Sequence, residues 1–219
     1  MTMPPRDTGT VPVKDCGESL VDVQASAPLW VAQVTDRRLA YLRSGVVDRL
    51  VVAQSLLPRD VRLLVVAGYW PMAVQRQRLE RAVVEMGRAY PDATEPEVRR
   101  LAERRVARPE LASHPTGAAV DLTLCTHTGV PLLVDPGRPG NPTCAACDEN
   151  LLLDDHDTGP VADPETANRS LLAEALTAMG FVNCPTRWWH WSYGDPQWAL
   201  TTQASHARYG PVPEDPLSG

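Results

Sequence analysis

The sequence predicts an α+β domain in which a small, mainly antiparallel sheet is flanked by helices. Two β-rich apolar runs, at 61–67 and 117–124, and two shorter ones near 181–184 and 188–193 have strand character. Four segments, 42–57, 71–86, 95–106 and 163–179, carry apolar residues at helical spacing. The two kinds do not alternate regularly, so a doubly wound parallel sheet is not expected. With 219 residues, 43% of them hydrophobic and 22% charged, the chain suits one globular domain that buries a sizeable core.

Each element has a local reason. Residues 1–18 hold Pro4, Pro5 and Pro12 beside Asp7, Asp15 and Glu18, which predicts a flexible N-terminal segment before a domain spanning 19–210. Leu42, Val46, Leu50, Val51 and Leu56 recur along one helical face, and Pro58 ends the pattern. Val61 to Ala67 is a continuous apolar run broken only by Arg62, as in a buried strand, and Gly68 closes it. Pro71 suits the first position of a helix whose face is Met72, Leu79, Val83 and Met86. Thr94 with Glu97 three residues on has capping-box spacing for a helix over 95–106. Residues 117–124 read as a strand with a single acid, Asp121, inside it. From 125 to 162 the chain reads as a long loop, and loops of that length are often functional. Asp163 and Pro164 open a helix that Gly180 closes, and Asp195 caps a last short turn with Trp198. Residues 211–219 form a Pro- and Gly-containing tail, and there is no internal repeat.

Charge and composition exclude several classes. The net charge of −6 argues against a nucleic-acid partner, and Arg76, Arg78, Arg81, Arg99, Arg100 and Arg104 are spread over helices as a solvated face would be. No apolar run is long enough to span a membrane, and the N-terminus lacks the apolar stretch of a signal peptide, so a cytoplasmic protein is expected. Five cysteines, an odd number, do not read as a disulfide framework.

The chemistry concentrates in two places. His114 lies just before a strand, and Asp121, inside it, points away from Val120 and Leu122. His190 sits among Trp188, Trp189 and Trp191 in a later strand. A carboxylate and an imidazole in such surroundings need partners. Two histidines and one carboxylate suit catalytic zinc with an open position, and equally a two-histidine, one-carboxylate iron(II) site. The plain alternative is a core histidine hydrogen-bonded to a strand acid, and the His-x6-Asp interval alone does not decide between them. Tyr69, Trp70, Trp188, Trp189 and Trp191 form an aromatic concentration in a chain with one phenylalanine, either as core or as the wall of a small-substrate pocket.

Ser113 to Leu124 and Trp188 to Asp195 resemble the two signature segments of the D-alanyl-D-alanine dipeptidase family of zinc peptidases. Leu63 to Tyr69 with Pro71 and Gln75, Met179-Gly180-Phe181, and Arg208-Tyr209-Gly210 match further segments, so the resemblance covers roughly 20–210. It implies that His114, Asp121 and His190 hold one divalent metal, zinc by default with iron(II) as the alternative. It also implies hydrolysis of D-alanyl-D-alanine in the cytoplasm, in vancomycin resistance or cell-wall dipeptide turnover.

Two positions depart from the family. The family places a glutamate, its general base, three residues before the last histidine ligand; here that residue is Arg187, which stays protonated. The family places an oxyanion-binding arginine after the Gly-Tyr pair; here that residue is Trp70, with one indole donor and no charge. Three accounts follow: a metalloenzyme diverged from hydrolysis, a dipeptidase with another base drawn from Asp148, Glu149 or Asp154, or a non-catalytic binding homologue. The first is the expectation adopted. Its substrate would be a small carboxylate-bearing, amino-acid-derived molecule of the kind met in antibiotic and other natural-product biosynthesis, bound by Arg187, Ser113, Tyr69 and Trp189, with Arg187 and Trp70 in the catalytic positions. Arg187 and His190 are three apart, so bringing both to the metal requires an irregular strand, or one that begins only after Pro185. Cys144-x-x-Cys147 reads as two loop thiols, with a structural zinc site completed by His156 and Cys125 as the alternative. His127 and His206 read as surface residues.

Overall fold

The computed structural model describes residues 11–34, 36–132, 164–184 and 187–213. In chain order the elements are β1 (Leu20–Asp22), α1 (Val23–Ser26), β2 (Trp30–Val31), β3 (Tyr41–Arg43), α2 (Ser44–Ser55), β4 (Val61–Ala67), α3 (Met72–Ala89), α4 (Glu95–Arg105), β5 (Ala119–Thr126), α5 (Pro164–Ala178), β6 (Val182–Cys184), β7 (Arg187–Ser192) and α6 (Pro196–Thr201). Short 3-10 turns lie at Arg37–Ala40, Pro109–Leu111 and His114–Thr116.

The main sheet has five strands in the order β2-β4-β5-β7-β6. Only the β2–β4 pair is parallel, and the other pairs are antiparallel. This is the mainly antiparallel α+β arrangement expected. Strand alternation builds the core: Val120, Leu122 and Leu124 of β5 and Leu63 and Val65 of β4 face Val46, Val47 and Leu50 of α2 and Leu172 and Leu176 of α5. The intervening residue, Asp121, is thereby turned to the opposite face. A separate small core joins Leu79, Ala82 and Met86 of α3 to Val98 and Ala102 of α4, and the expected capping box of α4 is present, with Thr94 N–H donating to Glu97 Oε2 at 2.8 Å.

Several boundaries differ from expectation. The helix expected from 42 begins at Ser44, because Tyr41–Arg43 pairs with Leu20–Asp22 as a two-stranded sheet. Pro71 caps α3 in an extended conformation instead of opening it, and the helix runs three residues past Met86. β5 starts at Ala119, since Gly117 at φ 69° closes the turn that carries His114. It continues to Thr126, two residues into the expected loop. The early hairpin and β2 had no clear pattern in sequence because they are two or three residues long.

Within the segment 1–18 expected to be flexible, the described residues bond to the far end of the domain. Lys14 N–H and Cys16 N–H donate to Ala207 and Arg208 carbonyls at 2.9 and 3.0 Å. Arg43, only 6% exposed, gathers both chain ends around the turn that carries His114. Its side chain donates to Thr116 O at 2.8 Å, Gly210 O at 3.1 Å, Asp15 Oδ2 at 3.0 Å and the Glu18 carbonyl. Its own N–H donates to Gly117 O at 2.8 Å, and Val212 N–H binds Pro115 O at 2.9 Å, so the start of the expected tail is tied down as well.

Candidate metal centre

β5 and β7 place Asp121 and His190 directly opposite each other in antiparallel register. Cross-strand partners share a face, so both side chains emerge together on the side away from the main core. The His114–Thr116 turn, pinned by Arg43, brings the third side chain in from the loop before β5. His114, Asp121 and His190 are 4%, 5% and 6% exposed.

The atoms converge closely. His190 Nδ1 lies 2.8 Å from Asp121 Oδ1 and 3.1 Å from His114 Nε2. His114 Nε2 lies 3.3 Å from Asp121 Oδ1. His114 Nδ1–H donates to the Gly68 carbonyl at 2.6 Å, since a carbonyl only accepts, and Nε2 is the nitrogen left facing Asp121 and His190. Ligands about 2.0–2.1 Å from a tetrahedral zinc lie roughly 3.3 Å apart. The three separations, 2.8, 3.1 and 3.3 Å, are near that spacing. The donor set therefore fits a divalent ion, with a second partner, Gly68 O, orienting His114 as outer partners of metal ligands do.

Electrostatics agree with donors that are ready to bind. Burial alone would raise the Asp121 carboxyl, but His114 and His190 beside it hold it well below the usual carboxylate range. Burial pushes His190 down to about 4 against the pull of Asp121, and His114 and Arg187 add to the fall. Held that low, His190 is uncharged at neutral pH, the state in which an imidazole can ligate a metal.

Arg187 is half-buried at the start of β7 and close enough for its charge to act on His190. The irregularity needed for this is present. The β6–β7 register shifts between Asn183 and Cys184. The Asn183 amide donates to the carbonyls of Arg187, Trp188 and His190 at 3.3, 3.1 and 3.0 Å, and Trp188 turns toward the main core, where Trp191 is buried. Pro185 lies outside the described residues.

Trp70 is not placed as a donor toward the metal ligands. Its indole N–H donates to Gln75 Oε1 at 2.9 Å, and its ring stacks on His114 with centroids 3.7 Å apart and planes at 18°. Tyr69, with 1% exposure, is interior, and its N–H donates to Tyr41 O at 2.8 Å. Ser113 is buried close to Asp195, where it, the Trp198 N–H and Ser192 offset part of burial's upward push on that carboxyl. Trp189 is half-buried and meets Trp188 edge to face at 5.6 Å. Cys125 is buried, which pushes its thiol up to about 11, a poor fit to a zinc thiolate. Asp148, Glu149, Asp154, Cys144, Cys147 and His156 lie outside the described residues.

Sequence reasoning overlooked Arg78, grouped with solvated arginines, whose guanidinium lies 4.3 Å over the Trp70 ring. It also overlooked Asn183, the amide that shapes β7, and neither residue carries a signal outside its tertiary setting. Among the described residues no helix is long and apolar enough to cross a membrane.

The chain is 28% identical over 228 aligned positions to a D-alanyl-D-alanine dipeptidase from Synechocystis sp., spanning 90% of each chain. Among solved structures it resembles the LdcB LD-carboxypeptidase at 14% identity and TM-score 0.48, over 87% of this chain and 75% of that one. It also resembles VanYB in complex with D-Alanine-D-Alanine at 16% identity and TM-score 0.44, over 82% and 84%. The family model for D-ala-D-ala dipeptidase matches residues 31–208, which include all three converging donors, and the chain belongs to that family of peptidases.

Proposed function

We propose that this chain is a metal-dependent enzyme on the dipeptidase fold that has diverged from peptide hydrolysis and acts on a small, carboxylate-bearing, amino-acid-derived substrate. His114, Asp121 and His190 would hold one divalent ion, zinc in the first instance, and such an ion would supply a Lewis-acid centre. The observation that carries the reading is the charge of Arg187 beside His190. With a divalent ion in place, Arg187 adds a third positive charge against the single negative charge of Asp121. Among the described residues no acid forms an ion pair with Arg187. A cation so close to a metal is stable when an anion lies between them, and a substrate carboxylate held in bidentate fashion meets that need. Trp189, half-buried in the same strand, would border the substrate.

The same two positions weigh against hydrolysis. Arg187 cannot accept a proton from water, and the Trp70 N–H is already engaged by Gln75. Family membership favours the second reading, D-alanyl-D-alanine hydrolysis with a base from elsewhere in the chain. Titration of the zinc-loaded protein with small carboxylates separates the two. Arg187→Met should weaken binding by about 1.5–3 kcal/mol, the worth of a hydrogen bond to a charged group. Equal binding of every carboxylate by parent and variant would remove Arg187 from the site. Turnover of D-alanyl-D-alanine by the zinc-loaded parent would favour the second reading.

A further inference from the structure

We infer that Trp70 is a positioning residue that fixes the imidazole plane of His114 and so sets the strength and geometry of metal binding. The inference rests on the reading that His114, Asp121 and His190 hold a metal. A hydrogen bond to one ring nitrogen fixes the tautomer of a ligating histidine but leaves the ring free to swing about that contact. His114 has that bond, 2.6 Å from Nδ1 to Gly68 O. The second restraint is the near-parallel stack of Trp70 at 3.7 Å, which holds the plane. Together the two contacts aim the Nε2 lone pair at Asp121 and His190.

Both restraints come from one tripeptide. Gly68-Tyr69-Trp70 leaves the end of β4, and its close approach to the 3-10 turn needs a glycine, because a Cβ at Gly68 would collide with the Tyr41 carbonyl. Gly68 N–H donates to Leu39 O at 2.6 Å and Tyr69 N–H to Tyr41 O at 2.8 Å, so the tripeptide is locked to that turn and to β3. Trp70 is locked in turn. Its N–H donates to Gln75 Oε1 at 2.9 Å, and the Gln75 amide donates to Ala107 O at 2.6 Å. Gln75 is 3% exposed, and Arg78, one turn further along α3, covers the indole at 4.3 Å. A buried glutamine on the first turn of α3 is costly unless both ends of its amide are used, and here both are. Ala107, Gln75, Trp70 and His114 thus form a continuous chain of contacts that ends on a metal donor.

Zinc affinity by chelator competition, and the visible absorption of the cobalt(II)-loaded protein, test this on parent, Trp70→Ala, Trp70→Phe and Gln75→Met. Trp70→Ala should bind zinc about 10–100-fold more weakly, as for outer partners of metal ligands, and alter the cobalt bands. Trp70→Phe keeps a stacking ring and should restore most of the affinity and the parent spectrum. Gln75→Met frees the indole and should shift the cobalt bands even though Trp70 is present, and it carries the test where Trp70→Ala does not fold. A merely structural Trp70 would lower thermal stability in these variants while leaving affinity and cobalt bands as in the parent, and that result overturns the inference. Failure of the parent itself to bind zinc or cobalt would overturn the metal reading and this inference together.

Discussion

Replacing Asp121 by asparagine tests the centre at its one anionic donor. The residue is 5% exposed and its side-chain volume and shape are kept, so the backbone pairing of β5 with β7 is not disturbed. The charge is lost, and with it the 2.8 Å hydrogen bond from His190 as a charge-assisted one and the 3.3 Å approach to His114. In the metal-free protein the loss of that bond is worth about 1.5–3 kcal/mol, reduced by the relief of no longer burying a carboxylate. In the metal-loaded protein the loss should be larger, because an amide oxygen is a weaker, uncharged donor and its N–H2 group faces the ion in the other flip state. Outer partners of metal ligands cost about 10–100-fold in affinity, so loss of a ligand itself should exceed 100-fold, or more than about 2.7 kcal/mol. Zinc affinity by chelator competition and metal content after dialysis read this directly, with His190→Ala as the companion variant. If Asp121→Asn retains zinc as tightly as the parent, while circular dichroism shows both folded, then Asp121 is a hydrogen-bond acceptor and not a ligand.

The metal-free protein should lose stability in acid through His190. Its pKa is lowered from 6.5 unfolded to about 4 folded, so the unfolded state binds the proton first. The stabilising contribution is complete above pH 6.5, declines as pH falls toward 4, and is gone below it. At 1.36 kcal/mol per pH unit this amounts to about 3 kcal/mol between neutral pH and pH 4, measured by denaturant titration as the pH-dependent part that His190→Asn lacks. The raised pKa of Asp195 acts in the opposite sense, which is why the variant is the reference. An equal pH slope in parent and His190→Asn would mean that folding leaves the titration of His190 unchanged, which refutes the lowered pKa. The zinc-loaded parent should cleave D-alanyl-D-alanine poorly, since absence of a general base costs roughly 10²–10⁴-fold and absence of an oxyanion donor roughly 10²–10³-fold. Coupled detection of free D-alanine at ordinary enzyme rates would contradict this.

Much of the fold was legible because it rests on periodicities that the chain writes locally. Strand alternation in Val120, Asp121 and Leu122 was enough to put the acid on the face opposite the core, and Thr94 with Glu97 was enough to start α4. Elements of two or three residues, such as β1, β2 and β3, carry no period, and their pairings, β1 with β3 and β2 with β4, are made only in the fold. Composition alone made residues 12–18 look loose, since their partners at Ala207 and Arg208 are nearly two hundred residues away.

For the site, the sequence by itself pointed to the three residues that converge, through two ordered segments that resemble a family, and to Arg187 and Trp70 as the expected departures from it. Only the tertiary structure decided how those residues are placed. The facing of Asp121 and His190 follows from β5 and β7 being sheet neighbours, a pairing across 69 positions that no local pattern encodes. The indole of Trp70 could have donated toward the ligands, but Gln75 lies one helical turn away and takes the N–H, leaving the ring to stack on His114. Arg187 lies near enough for its charge to act on His190 where the β6–β7 register shifts, and there the Asn183 amide ties three carbonyls of β7. A side chain's chemistry is a property of its type, whereas its direction is set by the backbone bonds of its neighbours, and those neighbours are assembled by the fold.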